Sequence, residues 1–288
     1  MLFMEETMVR NKAKDIIFTA FLFVLGLIII TPIFLMFVSS LKDDRYEIMK
    51  DMGSLKAFIV LNPTLHNFKE ILFESVQNFG RAFINSMIVL VATVILTSIV
   101  CSMAGYALQR GKLKCRKYIF LAVLSLYIIP MEAIMLPLMY QVSTLGITDT
   151  YAVQILPFVA SPLYIFLFYN YFKEVPVSLA ENAELEGASF WQIYKDVYLP
   201  LNKSPIITVC ILQGMDMWNQ YLWPLLVTTD EKVRPMSVAI SSFTGTGGDI
   251  YWDQLMAASV VMLLPVLLLF IFFQRYFVES VASSAIKG

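Results

Sequence analysis

A small set of polar and aromatic side chains stands inside apolar segments of this 288-residue chain, where such residues are costly. These residues are Glu132, Gln213, Asp216, Asn219, Gln220 and Trp223. A charge near the middle of a bilayer costs about 2.5–3.5 kcal/mol on insertion scales, so Glu132 and Asp216 are candidates for a substrate or ion pathway. At about 100° per residue, the residues sharing one helix face are Gln213, Asp216, Gln220 and Trp223, with Asn219 beside them. An aromatic ring next to amides and a carboxylate suits a sugar, although the same groups also hold helices together by hydrogen bonds.

A polar loop, residues 175–205, carries most of the remaining chemistry, and its charged side chains are Glu181, Glu184, Glu186, Lys195, Asp196 and Lys203. Ser178 with Glu181, and Ser189 with Gln192, fit the capping-box pattern that starts a helix. Gly187 can end the first helix, and a proline at position 200 should stop the second. The sequence therefore predicts two short helices with a glycine hinge between them.

These two helices need a surface to pack on, because helices this short are marginal alone in water. The second helix offers bulky side chains for that purpose, namely Phe190, Trp191, Tyr194 and Tyr198. The glutamates of the first helix indicate that part of the partner surface is positively charged. The loop is either an ordinary amphipathic connector or a surface presented to another protein, and the pair of capping boxes favours the second interpretation.

The composition excludes several classes of function. Hydrophobic residues make up 58% of the chain and charged residues 15%, against about 25% charged in soluble domains. The net charge of −1 gives no basis for nucleic-acid binding, and a single histidine, His66, excludes a histidine metal cluster or catalytic triad. Neither a disulfide framework nor a zinc site fits the three cysteines, and the chain carries no nucleotide-binding motif of its own.

The polar residues are positioned by apolar segments long enough to cross a membrane. A helix needs about 20 apolar residues to span about 30 Å of hydrocarbon. Six segments meet this requirement, at approximately residues 16–40, 84–108, 118–142, 151–172, 206–227 and 255–273. The first is too long for a signal-peptide core and lacks a cleavage site, so we expect it to be retained. The predicted fold is all-α, a single transmembrane domain over residues 1–288.

The short loops set the orientation of these spans. Residues 109–117 contain five basic and no acidic side chains, which places this loop in the cytoplasm by the positive-inside rule. Six crossings then put both termini and the polar loop on the cytoplasmic side. Two long outer loops remain, residues 41–83 and 228–254, the latter rich in Ser and Gly. Each is either a plain connector or a surface that contacts something outside.

The polar loop resembles the EAA loop of bacterial ABC importer permeases. The matching residues are Glu181-Asn182-Ala183, then Gly187, then Leu199-Pro200. The wider pattern is similar to the second permease subunit of maltose-type, binding-protein-dependent sugar importers. It includes Asn85-Ser86, Ala104-Gly105-Tyr106-Ala107-Leu108, Trp218-Asn219-Gln220-Tyr221-Leu222-Trp223-Pro224-Leu225 and Gln274-Arg275-Tyr276-Phe277-Val278. Asn182 departs from the usual alanine, and the C-terminal tail departs from a more basic, glycine-rich pattern.

The resemblance implies the ABC type I importer permease fold and a catalytically silent subunit that takes part in sugar import. The residues it implies for ATPase docking are Glu181, Asn182, Ala183, Gly187, Ala188, Phe190 and Pro200. It implies a second, different permease, two ATPase subunits that hold the ATP and Mg²⁺, and an external sugar-binding protein. The alternative from the residues is an ion-coupled secondary transporter that uses Glu132 and Asp216.

Overall fold

The computed structural model describes residues 2–74, 78–111, 114–244 and 250–286, with side chains described from residue 14 to residue 272 within those ranges. Within them the chain is helical, and the one β feature is an isolated bridge between Thr244 and Ile250. The α-helices of these residues are α1 (Leu2–Ser40), α2 (Arg45–Asp51), α3 (His66–Lys69), α4 (Phe79–Arg110), α5 (Arg116–Leu126), α6 (Met131–Thr144), α7 (Tyr151–Ile155), α8 (Pro162–Lys173), α9 (Val177–Leu185), α10 (Phe190–Ile193), α11 (Leu199–Leu201), α12 (Lys203–Trp218), α13 (Leu222–Val227), α14 (Met236–Ala239) and α15 (Trp252–Ile286). The predicted all-α class is confirmed.

The chain divides into two compact units, and the first comprises residues 1–76 and 242–263. It contains α1, whose section Lys14–Ser40 is 27 residues long with a mean hydropathy of 2.9. Nearly all side chains of α1 between residues 14 and 30 are exposed. A helix that is apolar all round and exposed in water would not be stable, so this section is built to lie in lipid or against another membrane subunit.

Residues 41–74, in the first of the two loops predicted to lie outside, are folded. They form α2, a 3₁₀ turn (Leu55–Phe58), and α3 continued by a π turn (Glu70–Glu74). Lys42 and Asp51 form a buried ion pair at 2.7 Å. The buried amide of Asn67 donates to the backbone carbonyls of Ser40 and Lys42 at 3.0 and 2.7 Å. These bonds fix the chain where it leaves α1.

The second unit comprises residues 77–241 and 264–288, and α4 lies at its centre. Both α8 and α12 pack on α4. From Phe79 to Cys101 the buried residues of α4 recur at three- and four-residue intervals, as the core face of a helix requires: Phe79, Ala82, Asn85, Val89, Thr93, Thr97 and Cys101. Gly105 allows the closest approach, because a Cβ there would lie 2.8 Å from Phe168 Cβ and 2.9 Å from the backbone N of Tyr169.

Three of the six segments predicted as spans are interrupted helices. The segment 118–142 is α5 and α6, which bend by 94° at residues 127–130, where Pro130 cannot donate the backbone hydrogen bond that would continue α5. The segment 151–172 is α7, a 3₁₀ turn (Leu156–Phe158) and α8, bent by 46° before Pro162. The segment 206–227 is α12 and α13, separated at residues 219–221.

In the part of the chain that is described, three helices are long and apolar enough to cross a membrane, or up to five if each bent pair is one span. They include α4 and the section Trp252–Phe272 of α15. The count of six spans therefore stays a prediction. Gly245, Gly247 and Gly248 of the second outer loop, and Lys287 and Gly288 of the tail, lie outside the described residues.

Candidate functional site

The first helix of the polar loop begins two residues earlier than predicted, at Val177. Pro176 is the residue before α9, and no side chain caps that end, so the predicted capping box of Ser178 and Glu181 is wrong. A proline disfavours helical geometry in the residue that precedes it, and its own fixed φ suits the start of a helix. Ser178 therefore lies inside the first turn, and the Glu181 side chain is left exposed.

Gly187 ends α9 as predicted. Its φ is +86°, a left-handed conformation that glycine adopts without the steric cost of a Cβ. The N–H of Gly187 donates to the carbonyl of Glu184, and the N–H of Ala188 donates to the carbonyl of Ala183, at 3.0 and 2.9 Å. This pair of bonds is the Schellman motif, which reverses the chain after a helix and fixes the angle to the next one.

The capping box of Ser189 and Gln192 is confirmed. Gln192 Oε1 accepts from the Ser189 N–H at 2.7 Å, and Ser189 Oγ accepts from the Gln192 N–H at 3.4 Å. The predicted stop at Pro200 falls one residue early, because the helix continues through a π turn (Tyr194–Tyr198) into α11 and ends at Leu201. The N–H of Leu199 donates to the Tyr194 carbonyl five residues back, and the wider turn accommodates the proline ring.

An aromatic cluster fixes the second helix of the loop to the unit behind it. The Tyr106 ring of α4 contacts the rings of Phe190, Tyr194 and Tyr198 at centroid distances of 4.5, 5.2 and 4.9 Å. Tyr106 and Tyr198 are nearly fully buried. Burial raises the pKa of Tyr194, so its hydroxyl stays protonated and remains a hydrogen-bond donor across the physiological range.

The opposite surface of the loop is exposed and mixes acidic with apolar side chains. Of the residues implied for docking, the exposed ones are Glu181, Asn182, Gly187, Phe190 and Pro200. Ala183 and Ala188 are instead partly buried against the aromatic cluster. Leu185 and Trp191 add large exposed apolar surface, 86% and 51% exposed. A surface with large apolar side chains and carboxylates is suited to binding a protein that presents basic residues.

The structure does not bring the predicted polar stripe together on one helix face. Because α12 ends at Trp218, Gln220 lies within the break and Trp223 lies beyond it, on α13. Trp223 is fully buried and its Nε1 donates to the Val153 carbonyl at 2.8 Å, so it anchors α13 and cannot offer a platform to a sugar. Gln213 is also buried.

Asp216 keeps an accessible carboxylate. Its Oδ2 accepts a hydrogen bond from the hydroxyl of Tyr164 at 2.6 Å, and the residue as a whole is exposed on α12. Asn219 is exposed and its amide donates to the Met215 carbonyl of its own helix at 2.8 Å. Glu132 is exposed in the first turn of α6.

The loop 228–254, predicted to lie outside, begins with a firmly held segment that the sequence does not reveal. The Asp149 carboxylate accepts from the backbone N–H groups of Thr229 and Asp230 and from the Thr229 hydroxyl. The Asp230 N–H, followed by the Thr229 groups, holds the pKa of Asp149 below its usual range. These bonds are therefore kept at neutral pH and weaken only when acid protonates the carboxyl.

The polar loop and α12 lie in a part of the chain that is similar to known proteins. The pattern of the family described as "Binding-protein-dependent transport system inner membrane component" matches residues 101–283, which include the polar loop and α12. The chain belongs to this family. As an inner membrane component, it is a multi-pass, noncatalytic permease subunit of an ABC importer.

Its relatives match it over nearly their whole length. The arabinooligosaccharides transport system permease protein AraQ of Bacillus subtilis (strain 168) is 32% identical over 272 residues, covering 94% of this chain and 95% of the relative. The trehalose/maltose transport system permease protein MalG of Thermococcus litoralis is 29% identical over 266 residues, covering 92% and 94%. A crystal structure of a bacterial ABC transporter that imports the acidic polysaccharide alginate shares the fold, with a TM-score of 0.80 at 20% identity over 93% of this chain and 97% of that one.

Proposed function

We propose that this permease subunit carries a di- or oligosaccharide, delivered by an external binding protein, across the bacterial cytoplasmic membrane by alternating access. Several relatives are named for such substrates, among them arabino-oligosaccharides, melibiose, raffinose and trehalose. Another relative is named for sn-glycerol-3-phosphate, so membership of the family alone does not specify a saccharide substrate. The observation that carries the proposal is the ordered polar loop, two helices held at a fixed angle on an aromatic base.

The ATPase docks on the exposed face of this loop. Glu181 and Asn182 lie on the open side of α9, while Ala180 beneath them is fully buried. Because its inner face is packed, the loop is expected to move as a rigid body with the docked partner. Glu181 pairs with a basic residue of the ATPase, and Gly187 sets the angle between the two helices that fill the ATPase cleft.

The working transporter contains a second, different permease, two ATPase subunits that bind ATP and Mg²⁺, and the binding protein. Both termini and the polar loop face the cytoplasm in this assembly. The exposed apolar surface of α1 supports association with lipid or with the second permease. The large loops 41–83 and 228–254 face outward, toward the binding protein.

An uptake assay tests the proposed function. The complex purified through a tag on this chain is placed in liposomes loaded with ATP, and the binding protein is supplied outside. Uptake of radiolabelled maltose, trehalose, raffinose and arabino-oligosaccharides is then measured. We expect uptake of at least one of these sugars to require hydrolysable ATP and to survive ionophores that collapse ion gradients. Uptake that persists with a non-hydrolysable ATP analogue but stops with the ionophore would contradict the proposal.

Asp216 contributes to the sugar pathway in this proposal. A carboxylate exposed on a transmembrane helix is costly in lipid, so α12 turns this face toward a water-filled path or a partner subunit. Tyr164 donates to one oxygen of the carboxylate and leaves the other available to accept from sugar hydroxyl groups.

Asp216→Asn is expected to raise the KM for sugar uptake by about tenfold, equivalent to roughly 1.4 kcal/mol, with basal ATP hydrolysis unchanged. The reason is that an amide keeps the shape but loses a charged acceptor, which binds hydroxyl groups more strongly than a neutral one. The matched control is Asn170→Ala, which removes a polar group of α8 that donates to its own helix at the Phe166 carbonyl. An unchanged KM in Asp216→Asn would remove this residue from the pathway.

A further inference from the structure

Three residues of α4, one turn apart, bond to the polar loop. Ser102, Tyr106 and Arg110 stand at four-residue spacing, which places them on one face of the helix. Ser102 Oγ lies 2.7 Å from the hydroxyl of Tyr194, and the Tyr106 hydroxyl donates to the Phe190 carbonyl at 3.0 Å. Arg110 pairs with the carboxylate of Glu184 at 3.2 Å. Both helices of the loop are therefore bonded to the same helix.

The other end of α4 bonds to the start of the second outer loop. Arg81 and Asn85 donate to backbone carbonyls of residues 232 and 234, and Ser86 Oγ accepts from the backbone N–H of residue 236. The three donor–acceptor distances, in that order, are 3.0, 2.9 and 2.8 Å. Gln154 adds a bond at 2.9 Å to the carbonyl of residue 233. The segment 229–236 is thus held along its backbone by the outer end of α4 and its neighbour.

A single unbroken helix joins these two sets of bonds. At about 1.5 Å per residue, the 32 residues of α4 span about 48 Å, and no proline interrupts them. The two helices that adjoin the polar loop along the chain do not have this continuity. One of them, α8, begins only at Pro162 after a bend, and the other, α12, ends at Trp218 before the break at residues 219–221.

We propose that α4 acts as a strut, a rigid helix that couples the conformation of the polar loop to that of the outer segment 229–236. Ser86, Ser102 and Tyr106 are its positioning residues. This inference rests on the proposed function, because it assumes that the ATPase docks on the polar loop inside and that the binding protein contacts the segment 229–236 outside. A rigid helix bonded at both ends transmits a displacement without bending, whereas a broken helix absorbs it at the break. Thermodynamic linkage makes the coupling reciprocal: contact outside changes the state of the docking loop, and ATP-driven movement inside changes the outer segment.

Two double variants test the two ends in the complete complex in liposomes. Ser102→Ala with Tyr106→Phe removes two bonds to the polar loop and keeps the aromatic ring. Ser86→Ala with Arg81→Met removes two bonds to the outer segment. In each we expect basal ATP hydrolysis within about twofold of the wild type, and stimulation of hydrolysis by sugar-loaded binding protein reduced by about fivefold or more, the scale of a typical coupling energy.

Ser98→Ala is the matched control. Ser98 lies one turn from Ser102 on α4, and both hydroxyls bond to carbonyls of their own helix. The second neighbour of the Ser98 hydroxyl is the Cys210 thiol of α12, 3.2 Å away, and not the polar loop. We expect this variant to keep wild-type stimulation. Equal loss in Ser98→Ala and Ser102→Ala would mean that general packing of α4 is responsible, and would overturn the strut.

The combined variant, with all four substitutions, decides whether the two ends belong to one path. The effects of substitutions on one path are not additive, so we expect the combined variant to lose no more stimulation of ATP hydrolysis than either double variant does. Losses that multiply, or stimulation kept in both double variants, would overturn the inference while wild-type ATP-driven uptake still upheld the proposed function. If a double variant fails to assemble on size-exclusion chromatography, the single changes Ser102→Ala and Ser86→Ala give the same comparison.

Discussion

Replacing Gly105 by alanine is expected to separate α4 from α8 and to reduce the amount of assembled transporter several-fold. The added Cβ would lie 2.8 Å from Phe168 Cβ and 2.9 Å from the backbone N of Tyr169. Because one of these atoms belongs to the backbone, no side-chain rotation relieves the contact, and the two helices must move apart. Overpacking of this kind costs about 1–3 kcal/mol and sometimes more. The displacement would also disturb the edge-to-face contact of the neighbouring Tyr106 with Phe172, whose ring centroids lie 6.1 Å apart.

The measurement is the thermal unfolding midpoint and the yield of the complex, each compared with Gly214→Ala. Gly214 is also a buried helical glycine, but a Cβ there would meet only Val94 Cγ2 at 3.8 Å, an ordinary contact. Alanine is favoured over glycine inside a helix by about 1 kcal/mol, so this control should be neutral or stabilising. Equal behaviour of the two alanine variants would show that the close approach at Gly105 does not limit stability.

The all-α class and the outline of the polar loop follow from the sequence because they depend on local rules. The Ser189 and Gln192 pair caps a helix wherever it occurs, and the glycine at 187 supplies a positive φ that few other residues tolerate. Gly187 is also one of the positions on which the family resemblance rests. Local chemistry of this kind needs no knowledge of the partner helices.

The sequence is misleading where two local signals compete. At the start of α9 the serine pattern competes with Pro176, and the proline determines the helix start because it restricts the residue before it. At Pro200 the helix continues one residue past the expected stop, because a π turn with its wider spacing removes the clash of the proline ring with the preceding turn. Neither outcome follows from residue type alone.

The polar stripe of the fifth predicted span fails because helix periodicity was extended across a break. The four residues share a face only if the helix is continuous from 213 to 223, and α12 ends at Trp218. The importance of Tyr164 to Asp216, and of Ser102 and Tyr106 to the polar loop, depends on contacts between residues 52 to 92 positions apart. The four-residue spacing of Ser102, Tyr106 and Arg110 is the one sequence signal that marks them as a common face.

Glu181→Lys is expected to abolish sugar-stimulated ATP hydrolysis and uptake while leaving the fold intact. Glu181 is exposed on α9 and lies outside the packed inner face of the loop, which is formed by Ala180 and the aromatic cluster. In the proposed complex the substitution replaces a favourable pair with two like charges. Breaking one partner of a hydrogen-bonded charge pair at an interface costs about 2–5 kcal/mol, enough to release the ATPase at ordinary concentrations. The measurements are co-purification of the ATPase with this chain, and ATP hydrolysis in liposomes.

Glu186→Lys separates a specific contact from a change of net charge. Glu186 is also exposed and lies in the same loop, but it follows the end of α9, where its backbone N–H donates to the Asn182 carbonyl. We expect Glu186→Lys to retain most of the ATPase and most of the activity. Loss in both variants would indicate that the loop contributes only a diffuse negative field, which high salt would screen in the wild type as well. Normal coupling in Glu181→Lys would instead move the docking contact to the apolar side chains Leu185 and Trp191, since these are the largest exposed groups left on the same surface.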